Sequence, residues 1–197
     1  MANNFQVLRE MPIKKAASIL PDPQPQNVDE IDGNLIQLLL RRFDIAQQIS
    51  IHKRKAKLPV LDASRESEIL SRIAGIPNKA ISTKLKYGVF LTIFDVSREI
   101  QRADRDPLNK PALGQKSHRE LIAKLRIEIN EIDNQLVRLL DERMKIAQTC
   151  GLKRMERGKR IYLQSHLKSV RKRIDQLDQD SDTKQWIWKV YSSILEQ

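Results

Sequence analysis

The sequence predicts an all-α protein built from two copies of one helical unit. Two observations support this fold class: a composition that suits long helices, and an internal repeat with helical periodicity. The 197 residues include only 6 glycines and 5% aromatic residues, whereas leucine, isoleucine, lysine, arginine, glutamate and glutamine dominate. A chain of this length can bury a core as one large or two small domains.

The repeat relates residues 28–49 to residues 129–150 at an offset of 101 and without a gap. Ten of the 22 aligned positions are identical, and apolar residues recur at helical spacing in both segments. Two unrelated amphipathic helices would share the apolar spacing, but they would not share polar residues in register. The shared polar residues are Asp32 with Asp133, Arg42 with Arg143, and Gln47 with Gln148. We therefore interpret the chain as an internal duplication.

Each copy is predicted to form one long helix followed by two shorter helices. Pro59 follows the first long helix, Gly158 ends its counterpart, and Asp62 is a suitable N-cap for the second helix. The predicted helices span about 27–57, 63–74 and 81–105 in the first copy, and about 117–158, 163–177 and 184–197 in the second. The predicted domains are an N-terminal arm with a Pro-rich end at 1–26, repeat 1 at 27–105, a linker at 106–116 and repeat 2 at 117–197.

The net charge of +11 invites a nucleic-acid-binding interpretation. The excess is spread over both halves, because residues 27–106 carry a net +3 and residues 115–197 a net +6. No aromatic residue is interleaved with the basic run at 153–160, which weakens the case for single-strand binding. We therefore favour a solvated helical face over a nucleic-acid interface. The positive electrostatic field of these residues would also attract a small anionic substrate.

Other features of the sequence bear on the cellular compartment of the protein and on metal binding. No apolar run reaches the ~18 residues of a membrane span, and the first twenty residues lack the apolar stretch of a secretory signal. The single cysteine, Cys150, cannot form an internal disulfide and supplies no metal site. We expect a cytoplasmic protein without a bound metal. The histidines His52, His118 and His166 are scattered, and we expect them to be ordinary surface residues.

Seven polar residues of the first copy lie where a simple helical bundle does not need them. They are Arg42 and Lys53 on the first helix, Asp62, Arg65 and Glu66 at the start of the second, and Ser97 and Gln101 on the third. Arg42 and Lys53 are 11 residues apart, about three turns, so they project from nearly one side of the helix. Each residue alone is explained as an exposed charge or a cap, whereas the spacing of the set indicates a site.

This set resembles the motifs of the all-helical, AroQ-class chorismate mutases. Residues 31–46 match the family's leucine-rich stretch with its arginine and alanine, and Lys53 matches its catalytic lysine. Residues 59–66 match its Pro-Val and Asp-x-x-Arg-Glu box, and residues 97–101 match its Ser-x-x-x-Gln pair. The resemblance covers residues 28–101. It implies two three-helix repeats intertwined as a pseudo-dimer in one helical bundle.

In that family each site also receives an arginine from the first helix of the partner chain. The corresponding position is Pro25 in the first copy, which cannot supply it, and Arg126 in the second. Arg126 lies 17 residues before Arg143, about 25 Å along the same helix, so the two could not hold one small molecule. We therefore predict that Arg126 completes the site of the first copy.

The second copy's own site is predicted to have decayed. Arg143 is retained and Arg154 stands at the lysine position, but apolar or unlike residues fall on the acidic box. Those residues are Leu163, His166 and Leu167, and the last-helix pair is recovered as Ser193 and Gln197 only after shortening the connection. We predict one working site per chain.

The resemblance implies the Claisen rearrangement of chorismate, a small dicarboxylate, to prephenate without a cofactor. Guanidinium groups suit such a substrate because they bind carboxylates bidentately. The resemblance gives catalytic roles to Lys53, Gln101, Arg42 and Glu66, and substrate-binding roles to Arg126, Arg65, Asp62 and Ser97.

Two other activities of this fold remain open, isochorismate-pyruvate lyase and 4-amino-4-deoxychorismate mutase. Glu66, which suits a hydroxyl donor, favours chorismate only mildly. A different class of function is a non-catalytic module that binds a partner through its basic face. The retention of Lys53 together with Gln101 argues against such a module. Further homo-oligomerisation is compatible with an enzyme and with a non-catalytic module.

Overall fold

The computed structural model describes residues 27–103, 115–156 and 163–195, and no strand occurs among them. The six helices are α1 (Val28–Lys55), α2 (Ala63–Ala74), α3 (Thr83–Ala103), α4 (Gln115–Glu156), α5 (Leu163–Asp175) and α6 (Ser181–Leu195). The predicted all-α class is confirmed, with helix ends within about three residues of those expected. The predicted N-terminal arm and most of the predicted linker lie outside the described residues. No helix of the described part is long and apolar enough to cross a membrane.

Local signals explain where the first copy's helices begin and end. Asn27 caps α1 by accepting from the Glu30 amide at 2.9 Å, and Asp62 caps α2 by accepting from the Arg65 amide at 3.1 Å. The chain leaves α1 through Lys57, whose φ of 55° is left-handed. The segment after this turn is tied to the end of α1, because the Leu58 amide donates to the Lys53 carbonyl at 2.8 Å and Lys53 Nζ donates to the Val60 carbonyl at 2.7 Å.

The two long helices, α1 and α4, run antiparallel along the centre of the molecule. Arg42 pairs with Asp133 and Asp32 pairs with Arg143, so partner numbers fall on α4 as they rise on α1. Most of the apolar stripe predicted from the repeat is buried in this contact, whereas Leu139 and Ile146 near the end of the second stripe are partly buried. The buried members include Ile31, Leu35, Leu38 and Leu39 from α1 and Ile129, Ile132, Leu136 and Leu140 from α4. Each such side chain contributes roughly 1.5–3 kcal/mol of burial free energy.

Equivalent contacts relate the two copies by a pseudo-two-fold arrangement. Arg72 on α2 donates to the carbonyl oxygen of Asn130 on α4 at 3.2 Å. Its counterpart at the offset of 101, Arg173 on α5, donates to the carbonyl oxygen of Asp29 on α1 at 3.0 Å. The second helix of each copy therefore contacts the long helix of the other copy, α2 on α4 and α5 on α1, and α3 packs on α6. This is the intertwined pseudo-dimer that the resemblance implied.

Candidate active site

One cavity lies where the three helices of the first copy meet α4 of the second. The empty space within it, counted together with its open mouth, is about 570 Å³. All eight residues predicted for the site line it: Arg42, Lys53, Asp62, Arg65, Glu66, Ser97, Gln101 and Arg126. Apolar wall residues include Ala46, Ile49, Val60, Ile69, Phe94 and Ile129. The structure thus brings the predicted set together, and it draws Arg126 from the other copy.

Arg42 forms the floor of the cavity and is only 2% exposed. Its Nε donates to Asp133 Oδ1 at 2.8 Å, and its Nη1 donates to Ser97 Oγ at 2.9 Å. The Ser97 hydroxyl in turn donates to the Ile93 carbonyl at 2.8 Å, so both partners of the guanidinium are fixed. These contacts hold Arg42 in one orientation and leave Nη2 to bind a ligand.

Lys53 places a nearly buried ammonium on the cavity wall. Its Nζ donates to the carbonyl oxygen of Val60 at 2.7 Å, which ties the end of α1 to the segment before α2. Burial and the nearby Arg126 lower the pKa of Lys53, while Asp62 and Glu66 oppose that shift. An ammonium has three N–H donors, so the Val60 contact leaves two for a ligand.

Asp62 joins the two copies at the mouth of the cavity. One oxygen caps α2, and the other accepts from Arg126 Nη2 at 2.5 Å. Burial raises the pKa of Asp62, but the Arg65 amide and Arg126 outweigh it and keep that pKa below its usual range. Arg126 is about one-third exposed, so it is held at the edge of the cavity rather than inside the core.

Arg65 approaches the same edge from α2 and is held by α4. Its Nη2 donates to Asn130 Oδ1 at 2.5 Å and to the Arg126 carbonyl at 3.4 Å, while Nη1 pairs with Glu68 at 2.5 Å. The Asn130 contact crosses between copies, as the Asp62 contact does. Arg65 and Arg126 therefore flank one opening.

Glu66 forms an ion pair with Arg98 on α3, at 2.5 Å between Arg98 Nη1 and Glu66 Oε1. Arg98 also lines the cavity, and the sequence reasoning missed it. A signal was available, because Arg98 follows Ser97 directly and precedes Gln101 by three residues, which places it near the same helix face.

Gln101 closes the cavity near the end of α3. Its side-chain Oε1 is buried and has no hydrogen-bond partner among the described residues. The backbone beside it is fixed, because Ser50 Oγ donates to the Gln101 carbonyl at 3.2 Å. A buried amide with unmet hydrogen-bonding capacity at a cavity wall is a candidate ligand contact.

The cavity is strongly cationic. Five basic side chains line it, together with only two carboxylates, Asp62 and Glu66. The basic side chains are Arg42, Lys53, Arg65, Arg98 and Arg126. A concave site with this excess concentrates positive potential and favours an anion carrying more than one negative charge.

The second copy repeats the buried arginine–aspartate pair. Arg143 Nε donates to Asp32 Oδ1 at 2.8 Å, the same distance as between Arg42 and Asp133. Both aspartates are fully buried. The duplicated residues therefore tie the two long helices together at two symmetric points.

The surroundings of the second pair differ, because Tyr191 fills the space beside it. The Tyr191 ring centroid lies 5.9 Å from the Arg143 guanidinium carbon, matching the 6.0 Å from Arg42 to the ring of Phe94. The tyrosine adds a hydroxyl 3.3 Å from Arg143 Nε. His166 Nε2 lies 2.9 Å from Arg143 Nη2 and 3.0 Å from Asp32 Oδ2. Protein groups thus occupy the positions a ligand would need.

This ring correspondence aligns α6 with α3 at an offset of 97 and corrects the sequence alignment of the last helix. Buried Ile194, not Ser193, takes the place of Ser97. Ser193 donates to its own helix, at the Val190 carbonyl over 2.7 Å. Gln197, the other predicted counterpart, lies outside the described residues.

The remaining predicted differences of the second copy are only partly visible. Leu167 is partly buried and packs against the core in the position corresponding to Glu66. The side chains of Arg154 and Leu163 lie outside the described part of the chain.

The expectation that the histidines are ordinary surface residues is wrong. His118 is 1% exposed, and its Nδ1 lies 3.0 Å from Nδ1 of half-buried His52. Burial, followed by His118 and Lys55, lowers the pKa of His52. His166 meets the buried ion pair described above. No sign of these contacts is visible in the sequence, because each histidine and its partner lie on different helices and far apart in the chain.

Comparison with known proteins agrees with the fold and the cavity. The family profile described as "Chorismate mutase type II" matches residues 25–102 and again residues 125–197, as expected for a tandem duplication. Comparisons with curated proteins and with solved structures gave no match. Because the profile matches most of the chain, the chain belongs to the chorismate mutase type II family.

Proposed function

We propose that this protein is a chorismate mutase that converts chorismate to prephenate at one site per chain. The observation that carries the proposal is the cationic cavity, to which the first copy supplies seven of the eight predicted residues and the second copy supplies Arg126. The family membership supports the reaction class. The substrate is a dianion, which suits the excess of positive charge in the cavity.

Binding would fix the reactive, folded conformer of the substrate. Arg42, whose Nη2 has no hydrogen-bond partner among the described residues, and Arg126, at the mouth, would each hold a carboxylate, with Arg65 and Ser97 assisting. Because Arg42 is immobilised by Asp133, it needs no reorganisation when the substrate enters. Positioning of this kind can supply several kcal/mol of a unimolecular barrier.

Lys53 and Gln101 would stabilise the transition state. As the ether C–O bond breaks, negative charge grows on its oxygen, and donors fixed near that oxygen bind the transition state more strongly than the ground state. Lys53 retains two free N–H donors, and Gln101, which lines the cavity, would donate through its side-chain Nε2. Glu66 and the backbone near Asp62 would bind the ring hydroxyl. No step transfers a proton to the protein, and none requires a cofactor.

The second copy would lack its own activity. Tyr191 and His166 occupy two sides of Arg143, and Ile194 replaces the serine that contacts Arg42. Its partner arginine would have to come from Pro25. The second copy then serves as a scaffold that contributes Arg126.

The direct test measures the loss of chorismate absorbance on adding protein, with product identification. We expect prephenate from chorismate and little or no product from isochorismate or 4-amino-4-deoxychorismate. Pyruvate release from isochorismate, or faster turnover of the amino compound, would reassign the activity within the fold. Inertness towards all three compounds would reject an enzymatic role and favour a non-catalytic basic module.

A further inference from the structure

The ion pair between Arg98 and Glu66 has no role in the function proposed above. Both side chains line the cavity, and both are half-buried. Glu66 is one of only two carboxylates among the lining residues, and it is the one that would receive the substrate's ring hydroxyl. A cation paired with it therefore changes what kind of group it can bind.

Arg98 is held firmly in place. Its Nη1 contacts Glu66 Oε1 at 2.5 Å, and its Nη2 contacts Asp95 one helical turn away on its own helix. Burial lowers the pKa of Arg98, but the two carboxylates outweigh burial and raise it overall. Asp95 does not line the cavity and its side chain is 55% exposed, so water screens its charge. Within the cavity, Arg98 therefore offsets the charge of Glu66.

The pairing leaves Glu66 with one oxygen for a ligand. Oε1 is committed to Arg98, and Oε2 has no hydrogen-bond partner among the described residues. A carboxylate oxygen accepts a hydrogen bond from a hydroxyl or from an ammonium. The two donors differ in electrostatic energy at this position. An ammonium beside Glu66 would also lie close to the Arg98 guanidinium and be repelled by it, whereas a neutral hydroxyl would not.

We propose that Arg98 is a specificity-determining residue which, by pairing with Glu66, makes the site select a neutral hydroxyl over a cationic amino group at the same substrate position. The proposal rests on the proposed function, in which Glu66 faces the ring hydroxyl. Chorismate carries a hydroxyl there, and 4-amino-4-deoxychorismate carries an aliphatic amine that is largely protonated near neutral pH. Without Arg98, the Glu66 carboxylate would be free to pair with that ammonium.

The test compares kcat/KM for the two compounds in the full-length protein and in Arg98→Gln. We expect Arg98→Gln to shift the chorismate-to-amino preference towards the amino compound by about tenfold or more. Arg98→Lys keeps a positive charge but not the guanidinium geometry, so it should retain most of the original preference. The matched control is Arg102→Gln, an exposed arginine one turn further along α3 that does not line the cavity.

A structural role alone would lower kcat/KM for both compounds equally and leave their ratio unchanged. An unchanged ratio in Arg98→Gln, with chorismate still converted, would overturn the role of Arg98 and leave the proposed function standing. A double variant with Glu66→Gln sharpens the comparison, because Arg98→Gln should then have little further effect on the ratio.

If neither compound is converted by the unmodified protein, the proposed function fails. The dissociation constants of the two compounds, measured by calorimetry, then test Arg98 separately through the same ratio. Binding of neither compound would overturn both proposals.

Discussion

The two buried arginines, Arg42 and Arg143, occupy the same position in the two repeats but have different surroundings. Each pairs with the aspartate of the opposite copy at 2.8 Å. Arg42 opens onto a cationic cavity, whereas Arg143 is enclosed by Tyr191 and His166. The difference shows that the ion pair itself has a structural function that both copies keep. A site arises only where the pair's remaining donors face an open space.

Loss of Arg126 is expected to have the largest effect on turnover. Arg126→Ala removes the cation that closes the mouth of the site, so kcat/KM for chorismate should fall by about 100-fold or more with little loss of helicity. Lys124→Ala, an exposed lysine half a turn earlier on α4, is the control and should leave kcat/KM unchanged. Equal losses in both variants would indicate a general effect of surface charge.

The paired arginine variants separate structure from catalysis. Arg42→Ala leaves buried Asp133 still paired with Arg72. Arg143→Ala leaves buried Asp32 still in contact with His166. Each variant should therefore lose unfolding free energy in chemical denaturation, but less than the roughly 3–5 kcal/mol expected when a buried charge is left without any partner. Only Arg42→Ala should also abolish turnover per folded molecule. If Arg143→Ala lost turnover while its fold stayed intact, the assignment of the active site to the first copy, completed by Arg126, would be wrong.

Exchanging phenylalanine and tyrosine at positions 94 and 191 tests whether the aromatic residue beside each buried arginine decides if that arginine can bind a ligand. Phe94→Tyr would place beside Arg42 the hydroxyl that Tyr191 places beside Arg143, and we expect kcat/KM to fall by about tenfold. Tyr191→Phe removes a hydroxyl from the second pair, which should cost about 1 kcal/mol of stability and leave kcat/KM unchanged. A loss of activity in Tyr191→Phe would contradict the proposal that the second copy has no active site of its own.

Asp141 is expected to affect stability rather than turnover, and its effect depends on pH. It occupies the position of Leu40 in the first copy, and its Oδ1 accepts from the amides of Lys79, Ala80 and Ile81 at 3.0, 2.6 and 3.1 Å. Burial raises the pKa of Asp141, but Lys145 and these amides outweigh it and lower the pKa to about 2. This contact fixes the connection between α2 and α3, and therefore the helices that carry Glu66 and Gln101.

A lowered pKa stabilises the fold above the carboxyl's unfolded value, near 3.8, and the contribution is lost as the pH falls towards 2. Asp141→Asn should therefore cost roughly 1–2 kcal/mol at pH 6, and the difference from the unmodified protein should shrink between pH 4 and 2. Denaturation at several pH values measures this, and a difference independent of pH would refute the assignment.

The helices could be predicted because their signals are local: periodic apolar residues, the Asp62 cap and the break at Pro59. Seven of the eight candidate site residues could be proposed because the motif spacing of three helices is present in the first copy, and Arg126 could be proposed because it corresponds to Pro25 at the position of the family's partner arginine. Tyr191, the histidine contacts and the role of Asp141 could not be read from the sequence. These contacts join residues that lie 23 or more positions apart in the chain, and no local pattern records such contacts.

The central claim is that one working site per chain is completed by the other copy. Calorimetric titration with a bicyclic dicarboxylate analogue of the rearrangement transition state tests it most directly. We expect one analogue bound per chain, with binding greatly weakened in Arg126→Ala and retained in Tyr191→Phe. Two equivalent molecules bound per chain, or binding unaffected by Arg126→Ala, would contradict the account.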